Sequence, residues 1–228
     1  MSECCFTDRA AAGRRLGAMV ARHLGNFGLD RRPLVLALPR GGVPVAARVA
    51  AAVGGDLDLV VARKIGAPGQ PELGVGAIAE DGEPVFDHEL LAALGLEPRD
   101  LSDAVAAERR ELTRRIRVYR GDRPAVDVTD RLAIVVDDGV ATGVTARAAL
   151  RWLRSRRAHS LVLAAPVCSR EADHSLAADA DLVICLERPA RFGAVGRFYE
   201  DFAQLTDADV REGTALQARA DHAMTRRR

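Results

Sequence analysis

Arg131-Leu132-Ala133-Ile134-Val135-Val136-Asp137-Asp138-Gly139-Val140-Ala141-Thr142-Gly143-Val144-Thr145-Ala146-Arg147-Ala148-Ala149 is the stretch that decides the fold. Leu132 to Val136 form a short, apolar, β-branched run, the composition of a strand buried on both faces of a parallel sheet. Two carboxylates, Asp137 and Asp138, stand at its carboxyl end. A small, partly hydroxylated loop follows through Gly139, Ala141, Thr142, Gly143 and Thr145, and helical spacing resumes through Arg147, Leu150 and Leu153. The order is strand, tight loop, helix.

That order has a chemical use. A helix N-terminus offers unpaired N–H groups and partial positive charge, so a Gly/Thr loop there suits a phosphate dianion without any lysine. Two carboxylates just ahead of it can accept hydrogen bonds from neighbouring hydroxyls and stand near a hard cation. A phosphate beside a diol describes a ribose 5-phosphate. A P-loop needs Gly-Lys-Ser/Thr, whereas Val144 follows Gly143, and no G-x-G-x-x-G with a distal acid marks a dinucleotide site. A plain solvated turn with Thr142 as N-cap would leave the co-occurrence of strand, acids, loop and helix unexplained.

Upstream, Leu16, Met19, Val20 and Leu24 give helical spacing over residues 8–26, with Gly25 as the stop. Pro33 opens a second apolar run, Leu34 to Leu38, which ends in Pro39-Arg40-Gly41-Gly42-Val43-Pro44 and passes into a helix through Val45 and Val49. Glycine allows an anion to approach the backbone, and Arg40 adds a forked cation. Taken alone, Arg-Gly-Gly is equally a plain turn. Leu57 to Ala62 reads as another strand delivering Arg63-Lys64. Ile65 to Gly74, rich in Gly and Pro, reads as a mobile loop, and Val75–Ala79 with Pro84–Phe86 as a hairpin.

Residues 87–123 form an Arg/Glu-rich helical insertion, with a short helix over His88 to Leu96 and a longer one starting at Ser102 as N-cap and running through Tyr119. Glu108 and Glu111 interleave with its arginines, the pattern of a solvated face rather than an RNA site. Leu161–Pro166 and Leu182–Leu186 read as further buried strands around a helix near Glu171 to Ala178. The whole is an α/β, doubly wound, mainly parallel sheet flanked by helices, a single domain over 1–228 with ligand loops at the strand carboxyl ends. Residues 187–204 collect Phe192, Phe198, Tyr199 and Phe202 in a chain with 4% aromatics, either a satellite core or a hood over a ligand.

A net charge of +1 argues against a nucleic-acid or membrane field, and no apolar run reaches transmembrane length. Without a leader-like apolar segment, and with Cys4, Cys5, Cys168 and Cys185 lacking C-x-x-C spacing, the expected setting is a reducing cytoplasm.

Val135-Val136-Asp137-Asp138-Gly139-Val140-Ala141-Thr142-Gly143-Val144-Thr145 closely resembles the PRPP-binding motif of the type I phosphoribosyltransferases. The resemblance implies a Mg²⁺-dependent pentosyltransferase that moves ribose 5-phosphate from PRPP to a nitrogenous base, a nucleobase by family analogy, and releases pyrophosphate. Asp137 and Asp138 would hold the ribose hydroxyls and Mg²⁺, directly or through water. Ala141, Thr142, Gly143, Val144 and Thr145 would wrap the 5-phosphate, with Gly139 a further PRPP-binding residue. Arg40 and Gly41 would form the pyrophosphate loop, with a cis peptide between Arg40 and Gly41. Lys64 would lie on the catalytic flexible loop; Lys64, Arg40 and Asp138 are thus the catalytic candidates. Phe192 resembles the base-stacking Phe of a small C-terminal hood. Ala141 fills the slot that is Asp in 6-oxopurine enzymes, which leaves the general base unassigned. The family analogy adds a homodimer, and a non-catalytic PRPP-binding regulator on the same fold is the alternative.

Overall fold

The computed structural model describes residues 5–25 and 31–214. Helix α1 (Arg9–Leu24) leads into strand β1 (Leu34–Ala37), helix α2 (Gly42–Val53) and strand β2 (Asp56–Leu59). After a separate hairpin region the chain returns as β6 (Leu132–Val136), α5 (Val144–Ser155), β7 (Ser160–Val167), α6 (Arg170–Leu176) and β8 (Leu182–Glu187). The central sheet has the order β2-β1-β6-β7-β8 and every pairing in it is parallel. The acidic strand therefore lies in the middle, where the order reverses. Ligand crevices of open α/β sheets form at that switch point.

Alternation along the strands explains the two helical layers. Ala133 and Val135 of β6, with Leu161, Leu163 and Ala165 of β7, pack with α5 and α6 through Leu150, Leu153 and Leu176. Ile134 and Val136, with Val162 and Ala164, pack with α1 and α2 through Leu16, Val20, Val45 and Val49. Leu132 to Val136 are all buried, the double-sided burial that their unbroken apolar character implies. Asp8 caps α1 by accepting from the Ala11 N–H at 2.6 Å. Among the described residues, no helix is long and apolar enough to cross a membrane.

The hairpin region departs from the sequence reading in two places. The run Leu57–Ala62 is two strands: β2 stops at Leu59, and β3 (Ala62–Ala67) begins a second, antiparallel sheet with β4 (Gln70–Ala79) and β5 (Val85–Phe86). Val60 still donates to Ala37 O, but Val61 donates to Oε1 of Glu80, so the backbone changes sheets between them. The segment 65–74, read as a loop, is the β3–β4 hairpin with its tip at Pro68-Gly69. Its glycines serve strand contact and turning: Gly69 has φ +73°, and Gly74 lets the stem of Lys64 lie across it.

In the 87–123 segment, α3 (His88–Ala93) is capped by Asp87, and α4 (Ser102–Arg120) follows a 3₁₀ turn at Pro98–Leu101. Ser102 is the first helical residue and not the cap. Glu97 and Asp100 have already closed a capping box one turn earlier, so the start needs no serine hydroxyl. The far end of α4 is fixed by a buried ion pair. Arg120 donates to both Glu80 oxygens at 3.0 and 3.1 Å and to Leu59 O at 3.0 Å, with side chains 4% and 5% exposed.

Candidate active site

The acidic loop leaves β6 with both carboxylates folded back into the protein. Asp138 is buried, and its N–H donates to Oδ1 of Asp137 at 2.8 Å. Burial pushes the Asp137 carboxyl well above the usual carboxylate range, and the charge on Asp138 adds to the rise. Burial also raises Asp138, against the downward pull of Arg9 beside it. Val140 pairs across to β7 by accepting from Ser169 N and donating to Val167 O. The Ser169 hydroxyl donates to Ala141 O at 2.6 Å, so the loop is pinned while Ala141 and Thr142 remain exposed at its crest.

Gly143, not Thr142, is the N-cap of α5. Its φ of +73° and the Leu176 side chain against it suit glycine alone, and no side chain caps the helix. The first-turn amides of Val144 and Thr145 therefore face no built-in acceptor, the arrangement that favours an anion.

Across from this loop, β1 runs through Leu38, whose N–H donates to Val136 O at 2.8 Å, and turns at Pro39-Arg40. The Pro39–Arg40 peptide is cis. It lies one residue before the predicted Arg40–Gly41 bond, because Gly41 already has helical angles as the N-cap of α2 and the turn is complete before it. Gly41 lies so close to Asp138 that a Cβ there would overlap the Asp138 carboxylate. Two loops 97 positions apart in the chain (138 − 41) thus meet directly.

Arg40, Gly41 and Asp138, three of the predicted residues, line one cavity of about 350 Å³ together with Arg9, Phe202, Gln204 and Leu205. Asp137, Gly139, residues 141–145, Lys64 and Phe192 are not among its lining residues. Lys64 sits exposed on β3 over Gly74, and its neighbour Arg63 is bound to Glu108 of α4 at 2.7 Å. Phe192 stacks on Phe198 with ring centroids 5.4 Å apart.

Two of the cavity's residues, Arg9 and Leu205, escaped the sequence reading because they come from segments far from either loop in the chain, and Gln204 is the last residue of the 187–204 candidate hood. Segments 5–7 and 198–201 run side by side: Cys5 and Phe6 donate to Phe198 O, and Glu200 and Asp201 donate back to Phe6 O and Thr7 O. Phe6, Phe198 and Tyr199 form a small buried cluster, with Phe192 and Phe202 packed on it. The Tyr199 hydroxyl donates to Asp138 O at 2.5 Å, and Arg9 Nε donates to Asp138 Oδ2 at 2.7 Å. The chain then lines the cavity through Phe202, Gln204 and Leu205, where Arg40 donates to Leu205 O at 2.6 Å and lies 3.9 Å from Asp207. Tyr119 of α4 donates to the same Asp207 carboxylate at 2.7 Å. The aromatic cluster in 187–204 was a usable signal, but Phe202 and not Phe192 is the ring that lines the cavity.

Among the described residues no cluster of three or more His, Cys, Asp or Glu could hold a metal by itself. The model of the phosphoribosyl transferase domain matches residues 7–201, from the segment beside Arg9 to the segment before Phe202. The chain belongs to the phosphoribosyl transferase family. A Mycobacterium tuberculosis protein provisionally named as a phosphoribosyl transferase is 41% identical over 205 residues, 90% of this chain and 45% of that protein. The chain thus spans about half the length of the curated relatives it matches. A crystal structure of a Thermus thermophilus protein is 41% identical and superposes with a TM-score of 0.76, covering 93% of this chain and 98% of that one. Family membership agrees with the parallel sheet and its switch-point crevice, a type I phosphoribosyltransferase fold.

Proposed function

We propose that the chain transfers the 5-phosphoribosyl group of PRPP to a nitrogenous base and releases pyrophosphate. The observation that carries this reading is the convergence of Arg40, Gly41 and Asp138 on one cavity, with the start of α5, which no side chain caps, following Asp138 in the same loop. A sugar phosphate needs both halves: fixed acceptors for its diol and unpaired N–H groups for its phosphate.

In this reading Asp138, with Asp137 behind it, accepts from the ribose hydroxyls and fixes the sugar's position. The carboxylates stand near the positive charge that develops on the sugar when the anomeric C–O bond breaks. The Val144 and Thr145 amides and the hydroxyls of Thr142 and Thr145 hold the 5-phosphate, while Gly139, Ala141 and Gly143 keep the loop narrow. Arg40 and the Gly41 amide stabilise negative charge on the departing pyrophosphate. Before they can do so, Arg40 must exchange Leu205 O and Asp207 for phosphate oxygens.

Magnesium fits the donor chemistry, since Mg²⁺ is commonly held by one or two carboxylates with substrate phosphates and water completing the octahedron. When bound at Asp137 and Asp138 it would neutralise charge on the pyrophosphate. Lys64 reaches the reaction by movement of the β3–β4 hairpin, which would also shut out water. The 187–204 segment serves as the hood, with Phe202 or Phe192 against the base, and residues 87–123 are an added piece that holds the segment after the hood through Tyr119 and Asp207. The family resemblance extends the reading to a cytoplasmic homodimer acting in nucleotide metabolism.

A PRPP sensor without turnover is the second reading, favoured by the absence of Lys64 from the cavity's lining and by Ala141 in the slot of a general base. The deciding experiment is Mg²⁺-dependent pyrophosphate release from PRPP with a panel of purine, pyrimidine and other nitrogenous acceptors, using Asp137→Asn/Asp138→Asn as control. Release that needs one acceptor and disappears in the control supports the transferase. Calorimetric PRPP binding without release selects the sensor, and no PRPP binding at all refutes both.

A further inference from the structure

Arg9 is the first residue of α1, and its sequence neighbours give it no distinction. In the fold it joins three parts of the molecule. Nε donates to Asp138 Oδ2 at 2.7 Å, Nη1 donates to Ala203 O at 2.9 Å, and the guanidinium lies 3.8 Å over the ring of Phe202. The side chains of Arg9 and Asp138 are 11% and 13% exposed, so this pair is largely withdrawn from water. A guanidinium can donate in its plane to two acceptors while its face rests on a ring; an ammonium cannot do all three.

Asp138 is gripped at both ends by this assembly. Arg9 holds its carboxylate, and Tyr199, within the same terminal segment as Phe202, holds its carbonyl. Any displacement of the carboxylate is therefore felt by residues 199–203. The reverse also holds: a shift of Phe202 or Ala203 moves the cation that orients Asp138.

We propose that Arg9 is the positioning residue for Asp138, and that it couples the ribose subsite to segment 198–205, which lines the cavity through Phe202, Gln204 and Leu205. The inference rests on the PRPP reading above. Arg9 aims the Asp138 carboxylate for the sugar diol, and a bound sugar stiffens the segment through Phe202 and Ala203.

The test uses the full chain with Mg²⁺ and PRPP, comparing wild type with Arg9→Met, Arg9→Lys and Phe202→Leu. Calorimetry gives affinity, and hydrogen exchange of a peptide spanning 198–205 gives the response of the segment. Arg9→Met should weaken PRPP binding by at least about tenfold, a loss of one charge-assisted hydrogen bond. Arg9→Lys should restore only part of it. PRPP should slow exchange over 198–205 in the wild type, less in Phe202→Leu, and not in Arg9→Met, a ligand-dependent difference that a merely structural role would not produce. Binding by Arg9→Met as tight as or tighter than wild type, or equal protection of the segment, overturns the inference while leaving the PRPP reading intact. If Arg9→Met does not fold, undiminished binding and protection in Arg9→Lys has the same force. Failure of the wild type to bind PRPP removes the underlying reading, and this one with it.

Discussion

Replacing Arg120 by methionine removes one half of an ion pair whose members are 4% and 5% exposed. Three hydrogen bonds go: two to Glu80 and one to Leu59 O, at 3.0–3.1 Å. Glu80 keeps only the Val61 N–H, at 2.8 Å, and is left as a buried carboxylate without a counter-ion. Breaking one side of such a pair costs about 3–5 kcal/mol, a large fraction of the roughly 5–15 kcal/mol that stabilises a domain. Glu80→Gln should cost a similar amount, since Arg120 Nε has no partner among the described residues and the other nitrogens would lose their anion. The double variant Arg120→Met/Glu80→Gln should be distinctly more stable than the sum of the singles. Urea unfolding of all four proteins measures this, with the midpoint compared at constant slope. A cost below about 1 kcal/mol for Arg120→Met, which is the range of exposed pairs, would refute the claim that this pair clamps α4 to the sheet crossover.

Gly41→Ala places a methyl group in the Asp138 carboxylate, so PRPP binding should fall by at least about tenfold while the far-UV spectrum stays native; undiminished binding would show that the two loops need not touch. Burial and donation to Asp207 push the Tyr119 hydroxyl up to about 12. The folded chain therefore holds that proton after the unfolded chain has lost it, and stability falls as pH rises from the ordinary tyrosine value near 10 to about 12. Tyr119→Phe should flatten that decline, measured by urea midpoints across the same window, and a normal phenolate titration in the native protein would contradict the burial. Cys168 and Cys185 are buried, and contact with Cys185 together with burial raises the Cys168 thiol, so a small alkylating reagent should spare both until denaturant is added; labelling of either in the native protein would contradict this.

The parts legible in the sequence are those whose physics is local. The β6 strand, the two acids, the Gly/Thr loop and α5 follow within two dozen residues, and the alternation of packing partners along β6 and β7 bears out the doubly wound reading. The hairpin at 65–74 was masked by its own composition: Gly66, Gly69, Pro71 and Gly74 signal a loop by frequency, yet here they allow a turn and close strand contact. Ser102 gave a cap signal that a preceding 3₁₀ turn made redundant. Arg9 could not be read at all, because nothing near it in the chain predicts an aspartate 129 positions away. Phe192 and Phe202 share the same local signal, and only the path of residues 198–205 along the cavity separates them.

The meeting of segments 5–7 and 198–201 above the acidic loop also sets an order of events during synthesis. All strands of the parallel sheet, through Glu187, precede Tyr199, Phe202 and Leu205 in translation. The sheet and both glycine loops can therefore be in place while the cavity still lacks the wall formed by Phe202, Gln204 and Leu205. A contact such as Arg9 to Ala203, 194 residues apart, closes a long loop and carries the loop-closure entropy that goes with it. The pocket then matures after the sheet that carries it, and a nascent chain has a scaffold before it has a site.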